Sequence, residues 1–141
     1  MKGKYKEIIF CFIIISLIIV LNIFTENYTK NSIAYMNDNL DNLKQAMIEY
    51  QKNEDKTKKE ENSKKVEKQI EEIYDKWDKK YQILAYYIEH DELEKVKTEL
   101  VSLKSNIEID EYSQGIPNID RCIFILQHIK EKSALQIKNM F

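Results

Sequence analysis

The chain has 141 residues, 33% of them charged, and a formal net charge of -2. So balanced a surface lacks the basic excess that phosphate backbones require, which argues against nucleic acid as a partner. Its glycines are Gly3 and Gly115 and its proline is Pro117, so Lys4 to Gln114 runs without a strong breaker. Long helices are therefore expected, and no phosphate-cradling glycine loop can form.

From Ile8 to Phe24 the chain is apolar and uncharged apart from Cys11, Ser16 and Asn22 as its polar members. That length lies at the lower end of the roughly 17–25 residues a helix needs to cross hydrocarbon. Ile8, Phe12, Leu17, Leu21 and Phe24 are expected to anchor it in lipid, with Tyr5 and Tyr28 at its edges, where amphipathic rings sit. A cleaved signal peptide shares the basic start, but Asn22-Ile23-Phe24-Thr25-Glu26 offers no small-x-small cleavage site, and Ile8-Ile9-Phe10 before Cys11 is no lipoprotein box. Lys2, Lys4 and Lys6 precede the span and Glu26 and Lys30 follow it, so the expected topology is single-pass in the cell membrane, N-terminus cytoplasmic and the rest outside. This divides the chain into residues 1–25, basic start and anchor, and 26–141, an extracytoplasmic domain.

Ile33, Met36, Leu40, Leu43, Met47 and Tyr50 then recur at threes and fours, the stripe of an amphipathic helix. Gln51 to Lys65 holds no aliphatic or aromatic side chain and is expected in solvent, with Thr57-Lys58-Lys59-Glu60 as a capping box opening the next helix. That helix carries Val66, Ile70, Ile73, Trp77, Tyr81, Leu84 and Ile88. Asp91 is expected to cap another, striped by Leu93, Val96, Leu100, Leu103 and Ile107. Asp110 to Pro117 has the composition of a loop. Ile119, Cys122, Ile123, Leu126 and Ile129 mark a further helix, after which Ser133 is expected to cap a last turn carrying Ile137, Met140 and Phe141. The expected fold is all-α: an N-terminal transmembrane helix followed by an antiparallel bundle of about four helices. Cys11 and Cys122 fall in different surroundings, so no disulfide is expected.

The basic start and apolar span, Trp77, the segment Glu89-His90-Asp91-Glu92-Leu93, the leucine-rich helix to Ile107 and the ending Ile137-Lys138-Asn139-Met140-Phe141 together resemble a family of single-span bacterial membrane proteins, catalogued as domain of unknown function 4363 and seen mainly in anaerobic spore-formers. The resemblance covers most of the chain, departs at Ser113-Gln114-Gly115-Ile116-Pro117, and implies a membrane-tethered helical domain without implying an activity. Lysine outnumbers the lone Arg121 heavily, a bias consistent with an AT-rich bacterial genome.

Two groups of residues raise the question of chemistry. His90 and Glu94 lie one helical turn apart, and His128 with Glu131 repeats the pairing, so packing the segments together could assemble two imidazoles and two carboxylates for zinc or iron. The order is His-x-x-Glu or His-x-x-x-Glu, however, and carboxylate-bridged bundles use Glu-x-x-His. The plainer reading places His90 at a helix bend, hydrogen-bonded to a carbonyl or a carboxylate, or on a contact surface sensitive to protons. Trp77, Tyr81, Tyr86 and Tyr87 could line an aromatic ligand site, yet at this spacing Trp77 and Tyr81 belong to a core, and Tyr86 is the member expected at the surface. Lys56, Lys58, Lys59, Lys64 and Lys65 could touch anionic lipid or wall polymer, although Glu54, Asp55, Glu60 and Glu61 are interleaved with them.

No nucleophile with a base and no cofactor motif is recognisable. The expected function is a non-enzymatic interaction or assembly module at the outer face of a bacterial membrane, partnered by the bilayer and by another membrane or envelope protein, or by its own copies. An extracytoplasmic sensor or ligand-binding domain is the alternative, and a His/carboxylate metal-binding bundle comes third.

Overall fold

A computed structural model of the chain describes residues 2–138, which fold as four helices: α1 (Lys2–Lys52), α2 (Lys56–Leu84), α3 (His90–Glu108) and α4 (Tyr112–Lys138). The all-α architecture expected from the stripes is present, with one long apolar N-terminal helix leading into a helical bundle. The apolar segment and the first stripe are one helix, so the expected boundary after residue 25 falls inside an unbroken element. Residues 24–32 contain no glycine or proline to stop it. At roughly 1.5 Å per residue α1 is about 76 Å long.

Every described side chain from Tyr5 to Leu21 is exposed, and the helix there is long and apolar enough to cross a membrane. Further along, Ile33, Met36, Leu40, Leu43 and Met47 are buried, and Thr29 and Ser32 extend that buried stripe back by one turn. The C-terminal half of α1 is thus the first member of a four-helix bundle, and α2, α3 and α4 supply the rest.

The polar run after α1 is a short connection, and α2 starts earlier than expected. Asp55, in extended backbone, accepts the Thr57 N–H at 3.0 Å and is the N-cap, so Thr57 is not. A short carboxylate one residue ahead of the helix reaches the second free N–H, and Thr57 is drawn inside the first turn. Val66, Ile70, Ile73, Trp77 and Leu84 then face the core.

α2 ends at Leu84 and does not continue to Ile88. Tyr86 donates to the Ile83 carbonyl, and both Tyr87 and Ile88 donate to that of Leu84, so the backbone tightens before Glu89 starts α3. Glu89 makes no side-chain cap, and Asp91 is not the cap expected of it. It lies in the first turn, where its charge faces the unpaired N–H groups of the helix start.

At the other end of α3, Glu111 donates to the Asn106 carbonyl and Asp110 to that of Ile107, while Asp110 takes φ 58°. These bonds form a Schellman motif with aspartate in the left-handed position that glycine usually fills. The expected loop of residues 110–117 is replaced by a three-residue connection, 109–111, because α4 begins at Tyr112. Gly115 is inside α4, buried: a Cβ there would stand 2.8 Å from Met47 Cε and 3.2 Å from Leu103 Cδ1, so its role is close approach of three helices. Pro117 sits in the second turn, exposed, and forfeits one bond to the Ser113 carbonyl near the helix start. Ser133 is buried inside α4 and starts no separate turn. The side chain of Ile137, and Met140 and Phe141, lie outside the described residues.

The helices run alternately away from and back toward the apolar segment, each packed on its two neighbours around a ring in the order α1, α2, α3, α4. Leu93, Val96, Leu100, Leu103, Ile107, Tyr112, Ile119, Cys122, Leu126 and Ile129 complete the core. Burying each such aliphatic side chain is worth about 1.5–3 kcal/mol. The ion pairs that cross between elements, such as Lys44–Asp120 and Lys104–Glu71, are part-exposed and add little to this.

Candidate functional site

The turn between α2 and α3 gathers most of the residues singled out by sequence. Tyr81, in the last turn of α2, places its Oη 2.6 Å from His90 Nδ1 and 2.6 Å from Glu94 Oε1, both in the first turns of α3. A phenol has one hydrogen to give. With the carboxylate accepting it, Nδ1 of His90 carries hydrogen and donates to the phenol oxygen, which fixes the imidazole tautomer. The carboxylate of Glu94 pushes the Tyr81 hydroxyl up to about 12. The Trp77 indole meets the Tyr81 ring edge-on at 6.4 Å, and Lys97 Nζ stands 5.6 Å from its centroid. His90 and Glu94 are exposed and Tyr81 half-buried. The group therefore braces a bend from outside, with nothing closed over it to hold a substrate.

Trp77 is 1% exposed, a core residue, and its Nε1–H meets no acceptor among the described residues. Tyr87 is half-buried and its Oη lies 3.3 Å from Thr29 Oγ1, which itself donates to the Thr25 carbonyl at 2.8 Å. Burial raises the Tyr87 hydroxyl. Tyr86 is 89% exposed at the tip of the turn, as expected. The four aromatic residues therefore form no common wall. His128 and Glu131 are exposed on α4, where Glu131 accepts from Gln127 at 2.7 Å. Among the described residues no three His, Cys, Asp or Glu side chains converge to hold a metal ion.

The lysines at the start of α2 lie at the end of the bundle remote from the apolar segment, roughly 42 Å beyond Phe24 at about 1.5 Å per residue of α1. Lys64 pairs with Glu60 and Lys59 Nζ lies 4.9 Å from the Tyr50 centroid. A lipid surface holding the apolar segment is out of their reach. Tyr50 and Tyr112 meet beside them in a tilted pair with centroids 4.2 Å apart, and burial raises both hydroxyls.

Sequence reasoning missed a polar clasp between α3 and α4. Glu99 Oε2 accepts from Asn118 Nδ2 at 2.8 Å and from Arg121 Nε at 2.9 Å, and Asn118 Oδ1 accepts from Asn106 Nδ2 at 3.0 Å. Asn118 is buried, so its amide needs both partners. The one arginine in the chain was the available signal, since its fork is suited to fixed carboxylate geometry.

Hollows in the bundle are small or open. A recess of about 10 Å³ lies among Tyr87, Ile88, Glu92, Ile129 and Ser133. An open groove of about 500 Å³ between α2 and α3 has Ile70 and Ile107 at its floor and lysines and glutamates along its rims. Cys122 is buried, and burial pushes its thiol up to about 12, which makes it a packing residue and no nucleophile.

Among known protein families, the profile described as "Domain of unknown function (DUF4363)" matches residues 24–140. The chain belongs to that family. The match spans all of the bundle, which makes the four-helix domain the family unit and the turn at Tyr81–Glu94 part of it. No curated protein and no solved structure matches the chain.

Proposed function

We propose that this DUF4363 protein is a non-enzymatic helical interaction module, held at the outer face of a bacterial cell membrane by α1. The lysines before the apolar segment support the outward orientation, and the exposure of that whole segment supports lipid as its surroundings.

The observation that carries the interaction reading is on α4. Arg121, Phe124, His128, Glu131 and Leu135 recur at threes and fours along the side facing away from the core, and Phe124 is 75% exposed midway along the bundle. A large aromatic ring flanked by arginine and histidine, on a rigid helix, has the composition of an interface centre. The partner is another envelope protein or a second copy of the chain.

A photo-crosslinking residue at position 124, compared with one at Lys79 on α2, tests this in native membranes. A discrete protein adduct from 124 and none from 79 is expected, and its mass distinguishes a second copy from a different partner. If position 124 crosslinks only to lipid, or to nothing, the interaction reading fails.

A further inference from the structure

The bundle has a base, and its height relative to the apolar segment follows from two cross-helix contacts. Thr29 of α1 meets Tyr87 of the α2–α3 turn at 3.3 Å, so that turn lies level with Thr29. Lys44 of α1 pairs with Asp120 of α4 at 2.6 Å. Stepping about fifteen residues along each of these antiparallel helices, at roughly 1.5 Å per residue, brings Leu135 level with Thr29 as well. Thr29 is only about 7 Å along the helix from Phe24, the last apolar residue of the segment. A bilayer has about 30 Å of hydrocarbon within 40–45 Å overall, so each headgroup layer is about 5–7 Å deep. The turn and the end of α4 therefore stand where that layer meets water.

Large apolar and aromatic side chains stand exposed at this level, among polar ones such as Asn31, Gln82 and Asp91. Tyr86 at the tip of the turn is 89% exposed, Ile83 one turn before it 40%, and Leu135 on α4 59%. Tyr28 stacks on Phe24 at 6.2 Å and continues the apolar surface of the segment up to the turn. Among the described residues three ion pairs lie here, Lys30 with Glu26, Lys132 with Glu89 and Lys95 with Glu92, and beyond them Lys80, 5.9 Å from the Tyr28 centroid, is offset in sign by Asp91 in the first turn of α3. A tyrosine ring belongs at the boundary between headgroups and chains, apolar in its body and wet at its tip.

We propose that the base of the bundle is a second membrane-contact surface, with Tyr86 entering the phospholipid headgroup layer beside the span. It rests on the reading of α1 as a membrane anchor. Its partner is the headgroup layer of any fluid phospholipid, recognised by aromatic and apolar side chains and not by charge.

The test uses the full chain with Cys11→Ser, reconstituted in phosphatidylcholine vesicles, and a nitroxide label at one of three sites: Phe12→Cys, Tyr86→Cys or Ser105→Cys, the last exposed on α3 away from the base. Native Cys122 is buried and stays unlabelled. Collision with oxygen and with a water-soluble nickel chelate reports depth. The label at 12 is expected deep in hydrocarbon, the one at 105 in water, and the one at 86 shielded from the chelate several-fold relative to 105, equally so with phosphatidylglycerol added or at high salt. A label at 86 as open to the chelate as that at 105, with 12 deep, overturns the seat and leaves the anchor intact. A label at 12 open to the chelate overturns the anchor and the seat with it. Shielding at 86 that vanishes in high salt overturns the aromatic basis of the contact.

Discussion

His90 turns out to act through Tyr81. One hydroxyl joins an imidazole and a carboxylate from α3 to the last turn of α2, and the bend is braced at the point where neither helix has a capping side chain. The titration of that hydroxyl gives the brace a measurable signature. An exposed phenol ionises near about pH 10, and here Glu94 holds the proton on up to about 12. The raised value means that the folded state binds the proton more tightly than the unfolded chain. Its contribution to stability is then complete below pH 10 and lost as pH climbs through 12. Tyr81→Phe removes both hydrogen bonds and that dependence together. The difference in melting temperature between wild type and Tyr81→Phe should be constant from neutral pH to about pH 9 and should shrink above about pH 10. A difference that stays constant to pH 12 would show that the hydroxyl is not tied to Glu94.

At the scale of elements, the stripes were legible because periodic burial is written in residue type. Leu93, Val96, Leu100, Leu103 and Ile107 are all at the core, as are the apolar members expected of α1 and α2 apart from half-buried Tyr50, Tyr81 and Ile88. Helix ends were not so legible, for reasons that differ case by case. Asp55 displaced Thr57 because two residues separated by Lys56 could both cap, and only geometry chooses between them. Gly115 and Pro117 suggested a loop, yet the glycine is helical because α1 and α3 leave no room for a Cβ, a tertiary condition that no local pattern carries. The brace at Tyr81 was half visible: its members were named, but the tyrosine joining them was assigned to the core. Asp110 shows a cost of this kind directly. A non-glycine residue at φ 58° is strained by about 1 kcal/mol or somewhat more, so Asp110→Gly should stabilise the bundle by up to about 1 kcal/mol. Chemical denaturation reads this as a higher midpoint at unchanged slope. A lower midpoint would mean that the aspartate charge matters more at the Schellman turn than its backbone strain.

The whole molecule is a bundle built onto the C-terminal half of one unbroken helix, and this has a mechanical meaning. A joint between span and bundle would let the domain sway freely, whereas α1 has none from Lys2 to Lys52. Orientation is therefore shared: on the proposed anchoring, rotating or tilting the segment in lipid rotates or tilts the bundle with it. Asn27→Pro should introduce the missing joint, because proline removes the bond to the Ile23 carbonyl and kinks the helix at a cost of about 3 kcal/mol. Energy transfer from a dye in the Asn53–Asp55 connection to acceptors in the membrane surface should give one narrow distance for the wild type and a broad distribution for Asn27→Pro, with helix content nearly unchanged. Equal distributions would mean that lipid contact alone holds the domain upright. With α1 as the proposed membrane anchor, the intact helix works as a lever with its fulcrum at Phe24. Single spans commonly tilt by about 20°. Over the roughly 42 Å from Phe24 to Lys52, that angle carries the far tip sideways by about 14 Å. A partner that presses on the segment within the membrane thus moves Tyr50, Tyr112 and the lysines beside them by more than the width of a helix.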